Sequence, residues 1–261
     1  DVYKRQVEVL RFTIGWAVFF YAVACAVAIL ERAGLALQPS SKTHENSVFV
    51  LAQGVGCTTK SLIVSLMGIY VVWAHWDEPA QAHFAGSVAG SDLAFTAGML
   101  FGSFEIMDVF TSFLHNMLDA VQLIHHGVHV GIGCIMMYNC GPHFSTAVLL
   151  AQDLSSVFLN PYLLLRHRYP NHPAIVALYA VFAVAFVVVR IVLCTWGTYY
   201  YINHYQEHLV DVDARLFPEW QAHLLAAALV TGSVMQFAFF CKVVTNALRM
   251  LQPEVPQKKA E

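Results

Sequence analysis

The sequence predicts an all-α protein: a polytopic bundle of about seven transmembrane helices. Of its 261 residues, 58% are hydrophobic and 12% are charged, whereas a soluble domain carries about 25% charged residues. Several apolar runs approach or exceed the roughly 20 residues that a helix needs to cross a bilayer. The net charge is only −3 and no basic tract is present, so a nucleic-acid partner is not expected.

The chain divides into four segments. Residues 1–11 form a leader, and its first six residues, DVYKRQ, resemble translated sequencing-adapter sequence and are set aside. We expect 12–45 to hold the first transmembrane helix and a loop, 46–249 the main domain with about six more helices, and 250–261 a polar tail. The predicted spans are Phe12–Leu30, Ser47–Trp73, Ser87–Phe110, Asp119–Tyr138, Phe144–Leu165, Ala174–Tyr201 and Ala222–Leu248.

Each span ends at residues that suit a membrane boundary. Tryptophan and tyrosine favour the interface, and glycine, proline and charged residues mark the loops. In chain order the boundaries are Glu31-Arg32, Trp73 and Trp76, Asp77-Glu78-Pro79, Gly141-Pro142, Arg166-His167-Arg168, Tyr199-Tyr200-Tyr201 and the tail lysines Lys258 and Lys259. With seven spans, Arg166 and the C-terminal lysines lie on one side and the acidic loops on the other. The positive-inside rule then predicts a cytosolic C-terminus.

Polar side chains interrupt the fourth predicted span and the residues before it. An ionisable group at mid-bilayer costs about 2.5–3.5 kcal/mol on insertion scales, so it usually faces the bundle interior and a partner. A spacing of four, three and four residues places four of these side chains on one helix face. They are His115, Asp119, Gln122 and His126, and His125 and His129 form a neighbouring pair four residues apart.

The fifth predicted span carries a second polar stripe. It consists of residues seven, three and four positions apart, namely Thr146, Asp153, Ser156 and Asn160, which again is one helix face. Stripes of this kind on adjacent helices are expected to face each other, since lipid offers them no partner. Further partners could come from Lys60 in the second span, Asp108 in the third and Arg190 in the sixth.

Two interpretations of these stripes remain open. One is a catalytic or lipid-binding site in which His125 or His126 acts as a general base and Asp153 orients it, because histidine exchanges protons near neutral pH. The other is a structural network of ion pairs that fixes helix register. A metal site is not expected, since the HHxxH run at 125–129 stands alone. A retinal protein is not expected either, since the surroundings of Lys242 lack that family's motif.

Four stretches of the sequence resemble motifs of the TLC-domain family (TRAM, Lag and CLN homology), over roughly Asn46 to Arg249. They are ENSVFV before the second span, GSFEIMDVF with Asp108, IHHGVH with His125 and His126, and LLAQDLSSVFLNPYLLLRH with Asp153, Ser155, Leu159 and Asn160. Arg190 matches the arginine of the family's FxxxR segment. In this order and spacing the stretches are fairly specific, and the resemblance implies a TLC-type bundle.

The resemblance also bears on enzymatic activity. Ceramide synthases of this family carry a longer motif that begins with the histidine pair and ends in a His-Asp followed three residues later by another Asp. Here those positions hold Gln152-Asp153 and Ser156, so one aspartate is kept while the second histidine and second aspartate are absent. The chain is therefore more similar to the TLC-domain-only branch, whose members are implicated in membrane phospholipid composition, lipid sensing or trafficking, and in a few cases in ceramide formation.

The resemblance thus implies a protein of membrane lipid homeostasis that holds a lipid or fatty acyl group in an intramembrane polar pocket. The alternative is a ceramide synthase-like N-acyltransferase that joins fatty acyl-CoA to a long-chain base, with His125, His126 and Asp153 at its site. Fatty acyl-CoA would then be a co-substrate, and no other cofactor is expected. A third possibility in the wider family is a translocon- or trafficking-associated protein. Membrane lipids are the expected partners, and the endoplasmic reticulum is the location that the resemblance implies.

Overall fold

The computed structural model describes residues 2–34, 47–78, 91–118, 120–138, 143–166, 169, 172–210 and 219–251. Within these ranges all regular secondary structure is helical, which confirms the predicted all-α class. The helices are α1 (Val2–Arg32), α2 (Ser47–Ala74), α3 (Ser91–Leu114), α4 (Ala120–Tyr138), α5 (His143–Ala151), α6 (Leu154–Leu165), α7 (Pro173–Ala185), a π-helix (Phe186–Leu193), α8 (Cys194–Val210) and α9 (Glu219–Leu251).

Six helical stretches of the described chain are long and apolar enough to cross a membrane, so the chain is an integral membrane protein. They are Arg5–Arg32, Val48–Ala74, Asp92–Leu114, Phe144–Leu165, Pro173–His204 and Ala222–Leu248. The predicted fourth span forms the 19-residue helix α4.

Helix α2 is the centre of the bundle. It packs against α1, α3, α5 and α6, while α4 packs chiefly on α3. Val64 and Val71 of α2 are completely buried. At Gly68 the neighbouring helix comes so close that a Cβ atom would lie 2.6 Å from the carbonyl oxygen of Ala147. Because glycine has no side chain, it permits this approach of two backbones.

The outer helices present apolar side chains to the surroundings. Val18 of α1 and Val234 of α9 are each 64% exposed, and only 17% of the apolar window of either helix is buried. In water such surfaces would be unfavourable, whereas lipid tails solvate them without cost. These two helices therefore form part of the lipid-facing shell.

Two of the predicted spans are not continuous α-helices. The span from Phe144 to Leu165 is interrupted at Gln152 and Asp153, where α5 ends and α6 begins. The sixth span contains the eight-residue π-helix, which carries Arg190. Irregular turns inside a helix are frequent at functional sites. Here each of them brings a charged side chain into the bundle.

Candidate functional site

Six ionisable side chains meet inside the bundle and are called the charge cluster here. Lys60 comes from α2, Glu105 and Asp108 from α3, His126 from α4, Asp153 from the turn between α5 and α6, and Arg190 from the π-helix. Five separate elements of the chain thus contribute to one site. The sequence stripes explain only part of it, because four of the six residues lie on other helices.

Lys60 joins two of the acidic groups. Its Nζ donates to Oδ2 of Asp153 at 2.7 Å and lies 3.4 Å from Oε1 of Glu105. It also lies 4.5 Å from the centre of the Phe101 ring, whose face attracts a cation. Ser61 donates a further hydrogen bond to the same Asp153 oxygen, at 3.3 Å. The ammonium is therefore held in place by two carboxylates and an aromatic face.

His126 lies between the two acidic groups of α3. Its Nδ1 contacts Oε2 of Glu105, and its Nε2 lies 3.1 Å from Oδ2 of Asp108. Glu105 and Asp108 are three residues apart and share one helix face. A carboxylate can only accept hydrogen bonds, so each ring nitrogen of His126 donates one. With both carboxylates ionised, the imidazole carries a proton on both nitrogens and is a cation.

Neutral side chains complete the bonding of Asp108, which is 1% exposed. Gln53 Nε2 donates to Oδ1 at 2.9 Å, and Gln122 Nε2 donates to Oδ2 at 3.3 Å. Both amides also donate to Oγ of Ser112 at 3.1 Å. Donors from two other helices, α2 and α4, thereby hold Asp108 and compensate its charge.

Arg190 forms the more exposed edge of the charge cluster. Its Nε donates to Oγ of Ser155 at 2.7 Å and its Nη2 to Oγ of Ser156 at 3.0 Å. Nη2 also lies 3.8 Å from Oδ1 of Asp153. The side chains of Arg190 and Asp153 are 21% and 15% exposed, compared with 2% for Asp108. Asn160, one turn beyond Ser156, is half-buried on α6 and continues this polar edge.

With its three carboxylates ionised and His126 protonated on both nitrogens, the charge cluster has no net charge. Lys60, Arg190 and doubly protonated His126 are the cations, and Glu105, Asp108 and Asp153 are the anions. Each charge has a partner of opposite sign, as burial at membrane depth requires. His126 and Asp153 belong to one continuous network, because Glu105 contacts both His126 and Lys60.

Several residues of the predicted stripes lie outside the charge cluster. His115 follows the end of α3 and stacks on Phe49 with ring centres 3.6 Å apart, and its Nε2 lies 3.3 Å from the Tyr21 hydroxyl. Asn116 has a left-handed backbone, with φ of 53°, so the chain turns between His115 and α4. Asp119 lies outside the described residues.

The remaining histidines flank the charge cluster. His125 is exposed, and its ring meets that of His129 edge-on with centres 4.2 Å apart. His129 also meets the ring of Phe101 edge-on at 5.5 Å. Among the described residues no group of three or more His, Cys, Asp or Glu side chains is placed to hold a metal ion.

Sequence reasoning missed Glu105, which contacts both Lys60 and His126. An acidic residue in an apolar helix, three positions before Asp108, is a signal that could have identified it. Gln53, Ser61 and Ser112 were missed as well. Uncharged polar residues are common in membrane helices, so nothing local distinguishes these three.

The chain was also compared with known proteins. A protein-family model described as the TLC domain matches residues 51–245. The matched region includes every residue of the charge cluster. No curated protein and no solved structure matches the chain.

Proposed function

Because the chain belongs to the TLC-domain family, we propose that it is a multi-pass membrane protein of lipid homeostasis. In this proposal the charge cluster binds the polar part of a membrane lipid from within the bilayer. The family resemblance also favours the endoplasmic reticulum, with the C-terminus in the cytosol. The TLC-domain-only branch is favoured over the ceramide synthases, since Gln152 and Ser156 replace two residues of the synthase motif.

The observation that carries the proposal is the burial of six ionisable groups among apolar helices. Replacing a buried ion pair by apolar residues of similar volume is often neutral or stabilising. Stability alone therefore does not account for Lys60, Glu105, Asp108, His126 and their partners. Ionisable groups at membrane depth usually mark a substrate, ion or ligand site.

The edge formed by Arg190 and Asp153 is where a lipid would reach the charge cluster. These two side chains are its most exposed members, and Ser156 and Asn160 extend the polar surface along α6. Apolar side chains on the outer surface of the same π-helix, such as Val188, which is 54% exposed, suit acyl chains. Since the formal charges cancel, a lipid without net charge fits better than an anionic one, which would leave a buried charge uncompensated.

Photo-cross-linking in nanodiscs tests this proposal. The wild-type protein is reconstituted with a zwitterionic lipid that carries a diazirine on its acyl chain near the headgroup, and labelled peptides are mapped by mass spectrometry. We expect labelling of α6 and the π-helix. Arg190→Met should reduce it about tenfold, because hydrogen bonds to a charged group contribute about 1.5–3 kcal/mol and 1.4 kcal/mol is tenfold.

Lys242→Met is the matched control, since Lys242 is an exposed cation on α9. It should leave the labelling of α6 unchanged. An unfolding curve for each variant excludes loss of the fold as the cause. Equal labelling of α6 in wild type and Arg190→Met would contradict the proposal, as would labelling spread evenly over all outer helices.

A second candidate is N-acyl transfer, and the position of His125 favours it. Both nitrogens of His126 face carboxylates, whereas His125 is exposed next to it, with ring centres 5.5 Å apart. An amine nitrogen would attack the thioester carbonyl of fatty acyl-CoA, the carbon–sulfur bond would break, and His125 would take the amine proton and return it to the leaving thiolate. The product would be an amide.

Incubation of the purified protein with labelled acyl-CoA and sphinganine tests this second candidate. If the protein is an N-acyltransferase, the wild type should form an amide and His125→Ala should not. If the favoured, non-enzymatic proposal is right, no amide forms with any of a range of amines. Amide formation by wild type but not by His125→Ala would therefore replace the favoured proposal.

A further inference from the structure

The transmembrane helix formed by α5 and α6 breaks at Gln152 and Asp153. Around the break, backbone hydrogen bonds join residues three positions apart instead of the four of an α-helix. They run from Asp153 N to Leu150 O at 3.1 Å, from Ser155 N to Gln152 O at 3.3 Å, and from Ser156 N to Asp153 O at 2.9 Å. The break lies inside the stretch Phe144–Leu165. Irregular backbone at membrane depth occurs only where protein or water surrounds it.

The two residues of the break have different surroundings. Asp153 points to Lys60 and joins the charge cluster. Gln152 is 7% exposed, and among the described residues its Nε2 has no hydrogen-bond partner. A buried amide without a partner is unfavourable, because the bonds it made to water in the unfolded chain are not replaced.

A small cavity lies against Gln152, between α5, α8 and α9. Its volume is about 10 Å³, and its lining includes Ser145, Gln152, Cys194, Thr198 and Leu229. Ser145, Gln152 and Thr198 bring hydrogen-bonding side chains from two helices and the break. A cavity of about 10–15 Å³ holds one water molecule, which needs two to four polar partners.

We propose that this cavity is the binding site of a single water molecule that accepts a hydrogen bond from Gln152 Nε2. The hydroxyls of Ser145 and Thr198 are its other partners. The volume excludes a lipid headgroup, and no described lining residue is a carboxylate that would attract a cation. Water both donates and accepts, so it serves Gln152 in either orientation of the amide.

The water has a structural role at the helix break. The backbone carbonyl oxygen of Gln152 accepts hydrogen bonds from the backbone N–H and the hydroxyl of Ser155. The Ser155 hydroxyl oxygen in turn accepts a hydrogen bond from Arg190 Nε. By holding Gln152, the water fixes the turn that presents Asp153 to Lys60. This inference stands on the cavity and the amide, and it does not depend on lipid binding.

Nuclear magnetic resonance of the full chain in nanodiscs, labelled with 15N in glutamine side chains only, tests the site. We expect the amide protons of Gln152 to show a cross-relaxation contact to long-lived water. Gln53 is the matched control, because its Nε2 already donates to Asp108 and Ser112, and no such contact is expected there. Gln152→Met and Gln152→Glu each remove the Gln152 signal, so either variant assigns it.

A contact to water at Gln152 that is at least fivefold stronger than at Gln53 supports the site. A contact of equal strength at both residues, or none at Gln152, overturns it. Both amides are compared in the wild-type protein, and the two variants serve only to assign the Gln152 signal.

Discussion

Replacing Lys60 by methionine is expected to destabilise the folded protein by about 3 kcal/mol. The ammonium joins Asp153 at 2.7 Å and Glu105 at 3.4 Å, and methionine keeps the length of the side chain without the charge. Removing one partner of a buried ion pair costs about 3–5 kcal/mol. The lower value applies here because both carboxylates keep other partners, His126 for Glu105 and Ser61 for Asp153.

Unfolding of the purified protein in mixed micelles, by titration with a denaturing detergent, measures this loss. Lys242→Met serves as the control, since that lysine is exposed and its loss should change the free energy of unfolding by less than about 0.5 kcal/mol. In the double variant Lys60→Met/Asp153→Asn the buried charge is also removed, so part of the stability should return.

Two outcomes would refute the reasoning about Lys60. The first is a loss of less than about 1 kcal/mol in Lys60→Met, the value expected of an exposed ion pair. The second is a double variant whose destabilisation equals the sum of the two single ones, since interacting residues show a coupling energy of about 0.5–3 kcal/mol.

Two further predictions concern the packing and the polar bonds around the charge cluster. Asp108→Asn should lower the free energy of unfolding by about 1–3 kcal/mol, because one acceptor oxygen becomes a donor that faces other donors. Ser112→Ala should lower it by about 1 kcal/mol or less, since both glutamine amides keep their hydrogen bonds to Asp108. Equal losses of stability in the two variants would contradict this difference. Gly68→Ala should cost about 1–3 kcal/mol, because the added Cβ would lie 2.6 Å from a backbone oxygen of α5. Gly15→Ala, which has open space around its Cβ, should be neutral or stabilising by up to about 1 kcal/mol, and the same detergent titration measures all four variants.

The sequence determined the membrane class, the helical fold and the approximate position of most spans. Hydropathy is summed over about 20 neighbouring residues and does not depend on their tertiary contacts. The same reasoning predicted that charged residues in apolar runs would lie inside the bundle. Lys60, Asp108, His126 and Asp153 do so, since lipid would leave each of them without a partner.

Only the tertiary structure decided which of these residues meet. Periodicity placed His115 on one face with Gln122 and His126, but the chain turns after α3 and His115 stacks on Phe49 instead. The pairing of His126 with Glu105 depends on how α4 packs on α3, which no local pattern specifies.

Within the polar stretch from 115 to 160, the helix break gives the neighbouring residues Asp153 and Gln152 different surroundings. Asp153 points into the charge cluster, and Gln152 lines the water-sized cavity between α5, α8 and α9. A sequence pattern assumes a regular helix and gives adjacent residues directions about 100° apart. The break and the π-helix change those directions, and they let Asp153 and Arg190 reach partners on other helices.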